Sequence, residues 1–136
     1  MPIGRYGEEN ILAQEAWELL RNSALDCKTT LQGPHEAVIC ARPSLSVDKV
    51  SSWGGTEIFY NAEDVANAAQ KLLEADIKAT TEIHKDNYCY DLVEIWRQTL
   101  TDKAYYLLKE INMAYHQNDK MMFENKRDEF LNLILD

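Results

Sequence analysis

The sequence predicts an all-α fold, a helical bundle-like chain with one long ordered loop between the first two helices. Apolar residues recur at three- and four-residue steps in four separate segments, which is the spacing of amphipathic helices. The 136 residues are 46% hydrophobic, with only 5 Gly and 3 Pro, which is typical of neither a disordered nor a fibrous chain. The interior glycines and prolines all fall between residues 28 and 59, where we expect the loop.

The first predicted helix runs from about Glu8 to Cys27, and the loop follows it. One apolar stripe marks this helix: Leu12, Ala16, Trp17, Leu19, Leu20 and Ser23. A loop of this length is uncommon in a small domain and is usually either functional or disordered. Because it contains Val38, Ile39, Trp53 and Ile58, we expect it to be ordered and packed against the helices.

Three further helices are predicted after the loop. The first begins at Asn61, whose side chain can cap it, and ends near Ala75. The longest covers about Tyr88 to His116, with a predicted apolar face of Val93, Trp96, Leu100, Ala104, Leu107, Ile111 and Ala114. Asn118-Asp119 caps the last helix, which has Phe123, Phe130, Leu133 and Ile134 on its apolar side. This apolar face continues to the final residues without a stop signal, so we expect a piece of a longer protein.

Charge and hydropathy exclude several partners. The chain has 14 basic and 23 acidic residues and a net charge of -9, which disfavours nucleic acid and anionic lipid surfaces. No apolar run approaches the roughly 20 residues of a membrane-spanning helix, and no secretory signal begins the chain. We therefore predict no nucleic-acid partner and no membrane partner.

Motifs for catalysis, metal binding or cofactor binding are absent from the sequence. It contains no Walker loop, no nucleophile elbow, no dinucleotide fingerprint and no zinc-spaced Cys/His pair, so we predict no metal and no cofactor. Cys27 and Cys40 bracket a short polar segment, and both a disulfide and two free thiols fit that spacing. Cys89, between two tyrosines, is predicted to pack in the core.

Few polar residues stand out as candidates for binding. His35 follows Gly33-Pro34 in the apolar loop, where an imidazole can hydrogen-bond a ligand, whereas His84 and His116 are expected at the surface. Arg42 precedes a proline that restrains its backbone, and we interpret it as a structural clamp of the loop. Asp91 and Glu94 lie one helical turn apart, and we interpret both as solvated residues near a helix start.

Taken in order, a series of short motifs resembles a known family. They are Arg5-Tyr6-Gly7, Ala16-Trp17 with Leu19-Leu20, Cys27, Gly33-Pro34-His35, Arg42-Pro43-Ser44-Leu45, Ile58-Phe59-Tyr60-Asn61 with Asp64-Val65, and Tyr90-Asp91-Leu92. Their order and spacing resemble the C-terminal helical region of the α-N-acetylglucosaminidases, glycoside hydrolase family 89. The resemblance extends from Arg5 to about Tyr115.

This resemblance implies that the parent protein is an exo-acting, retaining enzyme that removes terminal α-linked N-acetylglucosamine from glycans. In the family the two catalytic carboxylates come from a (β/α)₈-like barrel that precedes the helical region. Residues 1–136 are then a single domain of the C-terminal helical part, without the barrel and without catalytic residues. The implied partners are the barrel of the same parent chain and the glycan, and the chain alone is expected to be inactive.

The resemblance also implies a role for one residue and a cellular location. His35 matches the family's loop histidine beside the bound sugar, so it is the one predicted substrate-binding residue. The sequence has no Asn-x-Ser/Thr sequon, which favours a bacterial homologue that is exported to the periplasm or secreted. Exposed apolar surface left by the missing barrel predicts self-association of the isolated chain.

Two other functions fit the residues themselves. One is a free-standing helical module that docks on a partner protein through its apolar loop. The other is a small carbohydrate-binding domain that uses Trp53, Phe59 and Tyr60 as a stacking platform.

Overall fold

A computed structural model describes residues 2–26, 37–42, 44–46 and 55–135. The helices are α1 (Pro2–Tyr6), α2 (Ile11–Asn22), α3 (Ala62–Glu74), α4 (Glu82–His116) and α5 (Lys120–Leu135), with a 3₁₀ turn at Val38–Cys40. Over these residues the chain forms no strand, and the predicted all-α fold is confirmed.

Side-chain caps set the starts of three helices. The Asn10 Oδ1 atom accepts a hydrogen bond from the Ala13 amide at 3.1 Å and thereby begins α2. The Asn61 Oδ1 atom accepts from the Glu63 amide at 3.1 Å, and Asp119 accepts from the Met122 amide at 3.0 Å. Each cap satisfies an amide that has no partner within its own helix. The predicted capping by Asn61 and Asp119 is confirmed.

Two compact units are present, and the first comprises residues 1–30 and 59–99. Its core is the contact between α2 and α3. Buried alanines on both helices allow the two backbones to approach closely, and larger apolar residues fill the spaces around them. The buried core residues of this unit are Tyr6, Ala13, Ala16, Leu20, Val65, Ala68, Ala69, Leu72, Ile77, Ala79 and Ile95.

The second unit comprises residues 31–58 and 100–136. Here the C-terminal part of α4 and helix α5 run antiparallel, as two ion pairs between them show. Lys126 Nζ lies 2.9 Å from Glu110, and Lys103 Nζ lies 3.6 Å from Glu129. Among its described residues, the buried apolar ones are Val38, Ala104, Leu107, Ile111 and Ala114. Helix α5 has no fully buried residue, so it covers the edge of this core rather than forming its centre.

The helix boundaries differ from prediction at two places. The first predicted helix, from Glu8 to Cys27, is shorter in the structure: α2 begins at Ile11 after its Asn10 cap and ends at Asn22. The separate helix α1 precedes it and was not predicted. Helix α4 begins at Glu82, six positions before the predicted start. Residues 82–87 are mostly polar and show no apolar periodicity, so the spacing of apolar residues did not predict this first part of the helix.

The buried face of α4 is only partly the predicted one. Ala104, Leu107, Ile111 and Ala114 are buried as predicted, but Val93 is 63% exposed and Leu100 is 46% exposed. Asp91 and Ile95 are buried in the N-terminal half instead. Cys89 is exposed, so its predicted core packing is wrong. The apolar spacing alone did not show that the N-terminal half turns a polar residue toward the core.

Candidate functional site

A group of polar side chains surrounds the buried carboxylate of Asp91, near the start of α4. The guanidinium of Arg5 donates from both Nε and Nη2 to the two carboxylate oxygens of Asp91. The Tyr6 hydroxyl donates to Asp91 Oδ2 at 2.8 Å and accepts from Trp17 Nε1 at 2.9 Å. Asp91 is 5% exposed and Tyr6 is fully buried. We call Arg5, Tyr6, Trp17 and Asp91 the Asp91 cluster.

The interpretation of Asp91 as a solvated residue is therefore wrong, because its charge is buried and paired. Burial raises the pKa of Tyr6, and the hydrogen bond that Tyr6 donates to Asp91 raises it further. The hydrogen bond to Asp91 also raises the pKa of Arg5 above its ordinary value. Glu94, one turn away, pairs with Arg97 at 2.5 Å. The two acids thus have different partners and form no acid/base pair.

The Asp91 cluster is built for structure rather than for catalysis. Its carboxylate accepts three hydrogen bonds, two of them from a guanidinium, so its oxygens are already engaged and are not free to act as a nucleophile or a proton carrier. The cluster connects α1, α2 and α4. Asn87 adds to it by donating to the Arg5 carbonyl oxygen at 3.0 Å.

A cavity of about 210 Å³ lies in the second unit. Three apolar residues, Val38, Leu45 and Leu108, form part of its wall. The polar part consists of Thr56, Glu57, Tyr105, Lys109 and Asn112. Tyr105, Leu108, Lys109 and Asn112 all belong to α4, where offsets of three, four and seven residues place side chains on one face. The cavity therefore faces one side of α4.

The side chains that line this cavity include a positive and a negative charge. Lys109 Nζ lies 4.5 Å from the ring centroid of Tyr105, and its hydrogen bond with Tyr105 raises the pKa of Lys109. Glu57 supplies a carboxylate to the same wall. The Oδ1 atom of Asn112 is buried and accepts no hydrogen bond from any described residue. A buried acceptor of this kind is uncommon in folded proteins.

Sequence reasoning did not find this cavity. Its polar residues come from α4 and from residues 56–57, which carry no recognised motif. One signal was available, since Asn112 lies at a position of α4 between the buried residues Ile111 and Ala114. A polar residue beside a buried helical face is a candidate for a binding site.

Several predicted residues lie outside the part of the chain that the structure describes. They are Cys27, His35, Pro43 and Trp53, so the substrate role of His35 stays a prediction. Cys40 is an exposed free thiol. Arg42 is exposed and has no hydrogen bond or ion pair with any described residue, which gives no support to its interpretation as a clamp.

The remaining histidines and aromatic residues are described. His116 is exposed, as predicted. His84 lies on α4 and is partly exposed, with its Nδ1 atom 2.8 Å from Thr81 Oγ1. The rings of Phe59 and Tyr60 meet edge to face, 5.2 Å apart and at 87°. Their perpendicular planes present no shared flat surface for stacking a sugar.

The described residues contain neither a group of metal ligands nor a membrane-spanning helix. Within ranges 2–26, 37–42, 44–46 and 55–135, no three His, Cys, Asp or Glu side chains converge as metal ligands. No helix in those ranges has the combined length and apolar character needed to cross a bilayer.

Comparison with known proteins identifies the family. The family described as "Alpha-N-acetylglucosaminidase (NAGLU) C-terminal domain" matches residues 3–136. This chain belongs to that family. The resemblance inferred from the motifs is thereby confirmed, and the family match includes both Arg5-Tyr6-Gly7 and Tyr90-Asp91-Leu92.

Solved structures of family 89 glycoside hydrolases from Clostridium perfringens are similar to this C-terminal domain. One is CpGH89, with two glutamates replaced by glutamine, in complex with its substrate GlcNAc-alpha-1,4-galactose; it is 27% identical and has a TM-score of 0.85. That match covers 97% of this chain and 15% of the Clostridium chain. A complex with PUGNAc is also 27% identical, with a TM-score of 0.83, and likewise covers 97% and 15%. No curated protein matches the chain.

Proposed function

We propose that this NAGLU C-terminal domain is the helical part of an exo-acting, retaining α-N-acetylglucosaminidase. It packs on the catalytic barrel, helps to wall the substrate pocket and is inactive alone. The observation that carries the proposal is the match over 97% of the chain to a glycosidase solved with a GlcNAc-containing substrate. Because the chain covers only 15% of that enzyme, the activity itself requires other parts of the protein.

The chemistry of a retaining glycosidase supports the proposal that the catalytic carboxylates lie outside this chain. Retaining glycosidases use two carboxyl groups about 5 Å apart, one as nucleophile and one as acid and base. In the described residues Asp91 is held by Arg5 and Tyr6, and Glu57 is the one carboxylate of the cavity. The substrate complex of CpGH89 was obtained with two glutamates replaced by glutamine, consistent with such a pair in that enzyme.

His35 is proposed to contribute binding rather than chemistry. A neutral imidazole can donate one hydrogen bond to a sugar hydroxyl and fix the orientation of the ring. Its loss is therefore expected to weaken substrate binding more than turnover.

An apolar face on α4 supports packing against another domain. Ile83, Tyr90 and Val93 are spaced seven and three residues apart, which places them on one side of the helix. They are 66%, 63% and 63% exposed. Exposed apolar side chains in one row indicate an interaction surface, and the barrel of the parent enzyme is the partner that the family membership supplies.

The test is a chimaera in which this chain replaces the matching segment of CpGH89. Activity is measured on a chromogenic α-N-acetylglucosaminide, and the anomer released first is identified by proton NMR. We expect no activity from this chain alone, and activity with retention from the chimaera. In the chimaera, His35→Ala is expected to raise KM at least tenfold with a smaller change in kcat, while the control His116→Ala changes neither.

Three results would count against the proposal. A folded but inactive chimaera would contradict the role of this domain in the active site. Release of a sugar with the inverted anomeric configuration would exclude a retaining mechanism. An unchanged KM for His35→Ala would remove His35 from the pocket. The free-standing interaction module would then be the better hypothesis.

A bacterial origin and export to the periplasm or medium belong to the same proposal, and fractionation of the source cells tests the location.

A further inference from the structure

We draw no further inference here: the strongest candidate, the row of exposed apolar side chains that Ile83, Tyr90 and Val93 form on the N-terminal half of α4, carries nothing beyond the packing already proposed, because nothing in the structure shows what covers it.

Discussion

The Tyr6 hydroxyl donates a 2.8 Å hydrogen bond to Asp91, which lies 85 positions further along the chain. Trp17 in turn donates to the same hydroxyl, so one buried oxygen connects α1, α2 and α4. Two of the motifs that identified the family, Arg5-Tyr6-Gly7 and Tyr90-Asp91-Leu92, are therefore the two sides of a single contact. Their joint presence reflects the packing of the domain.

Asp91→Ala is expected to lower the free energy of unfolding by about 2–3 kcal/mol. The change leaves Arg5 and Tyr6 without their shared acceptor, and breaking a buried ion pair costs about 3–5 kcal/mol. The expected loss is smaller here because the Arg5 side chain is 42% exposed and water compensates part of its charge. Urea unfolding monitored by circular dichroism measures the difference.

Asp86→Ala is the matched control for Asp91→Ala. Asp86 lies on the same helix but is exposed, so the change should cost no more than about 0.5 kcal/mol. Equal destabilisation by the two substitutions would contradict the role assigned to the Asp91 cluster.

The stability of the chain should fall at alkaline pH as Tyr6 ionises. The pKa of Tyr6 is raised in the folded state, so its contribution is complete below the ordinary value of 10.0 and is lost as pH rises through the folded pKa. Tyr6→Phe loses a hydrogen bond and should be about 1 kcal/mol less stable at neutral pH. Above pH 10.0 its stability should decline less steeply than that of the unaltered chain.

Unfolding at a series of pH values measures this slope. Tyr90→Phe is the control, because Tyr90 is 63% exposed and its hydroxyl can be removed without loss of packing. Parallel pH profiles for Tyr6→Phe and the unaltered chain would show that Tyr6 does not set the alkaline limit.

Sequence spacing predicted those parts of the fold that depend on neighbours in the chain. The caps at Asn61 and Asp119 are local patterns, and the structure confirms them. Burial of Asp91 depends on Arg5 and Tyr6, more than 80 positions away, and no local pattern reveals such a pairing. The cavity was missed for the same reason, since residues 56–57 and Asn112 meet only in the folded chain.

Gly7→Ala is expected to destabilise the first unit by about 2 kcal/mol or more. Gly7 has a φ of 80°, in the left-handed region that favours glycine, and it makes the turn after α1. An added Cβ would also clash with Nδ1 of His84 and lie 2.9 Å from its Cε1 atom. Strain of this kind costs about 1–3 kcal/mol before the clash is counted.

The double variant Gly7→Ala/His84→Ala separates the two causes. It removes the clash but keeps the unfavourable φ, so we expect it to recover part of the lost stability relative to His84→Ala. Gly4→Ala is the control, because a Cβ there meets no atom within 4 Å and the position is helical. That change should be neutral or stabilising by up to about 1 kcal/mol. No difference between the two glycine substitutions would contradict the argument.

Acid should weaken an ion pair within α5 through Glu129. Lys126 lies 3.2 Å from Glu129 and lowers the pKa of Glu129 below its ordinary value of 4.5. A carboxyl with a lowered folded pKa contributes stability above its unfolded pKa, and the contribution is lost as pH falls through the folded pKa. Side-chain carboxyl NMR during an acid titration measures this pKa directly, and Lys126→Met should return it toward 4.5.

The control Lys120→Met removes a lysine that faces Glu124 at 3.9 Å and should leave the titration of Glu129 unchanged. If Lys126→Met does not raise the pKa of Glu129, Lys103 at 3.6 Å is the dominant partner and the assignment to Lys126 is wrong.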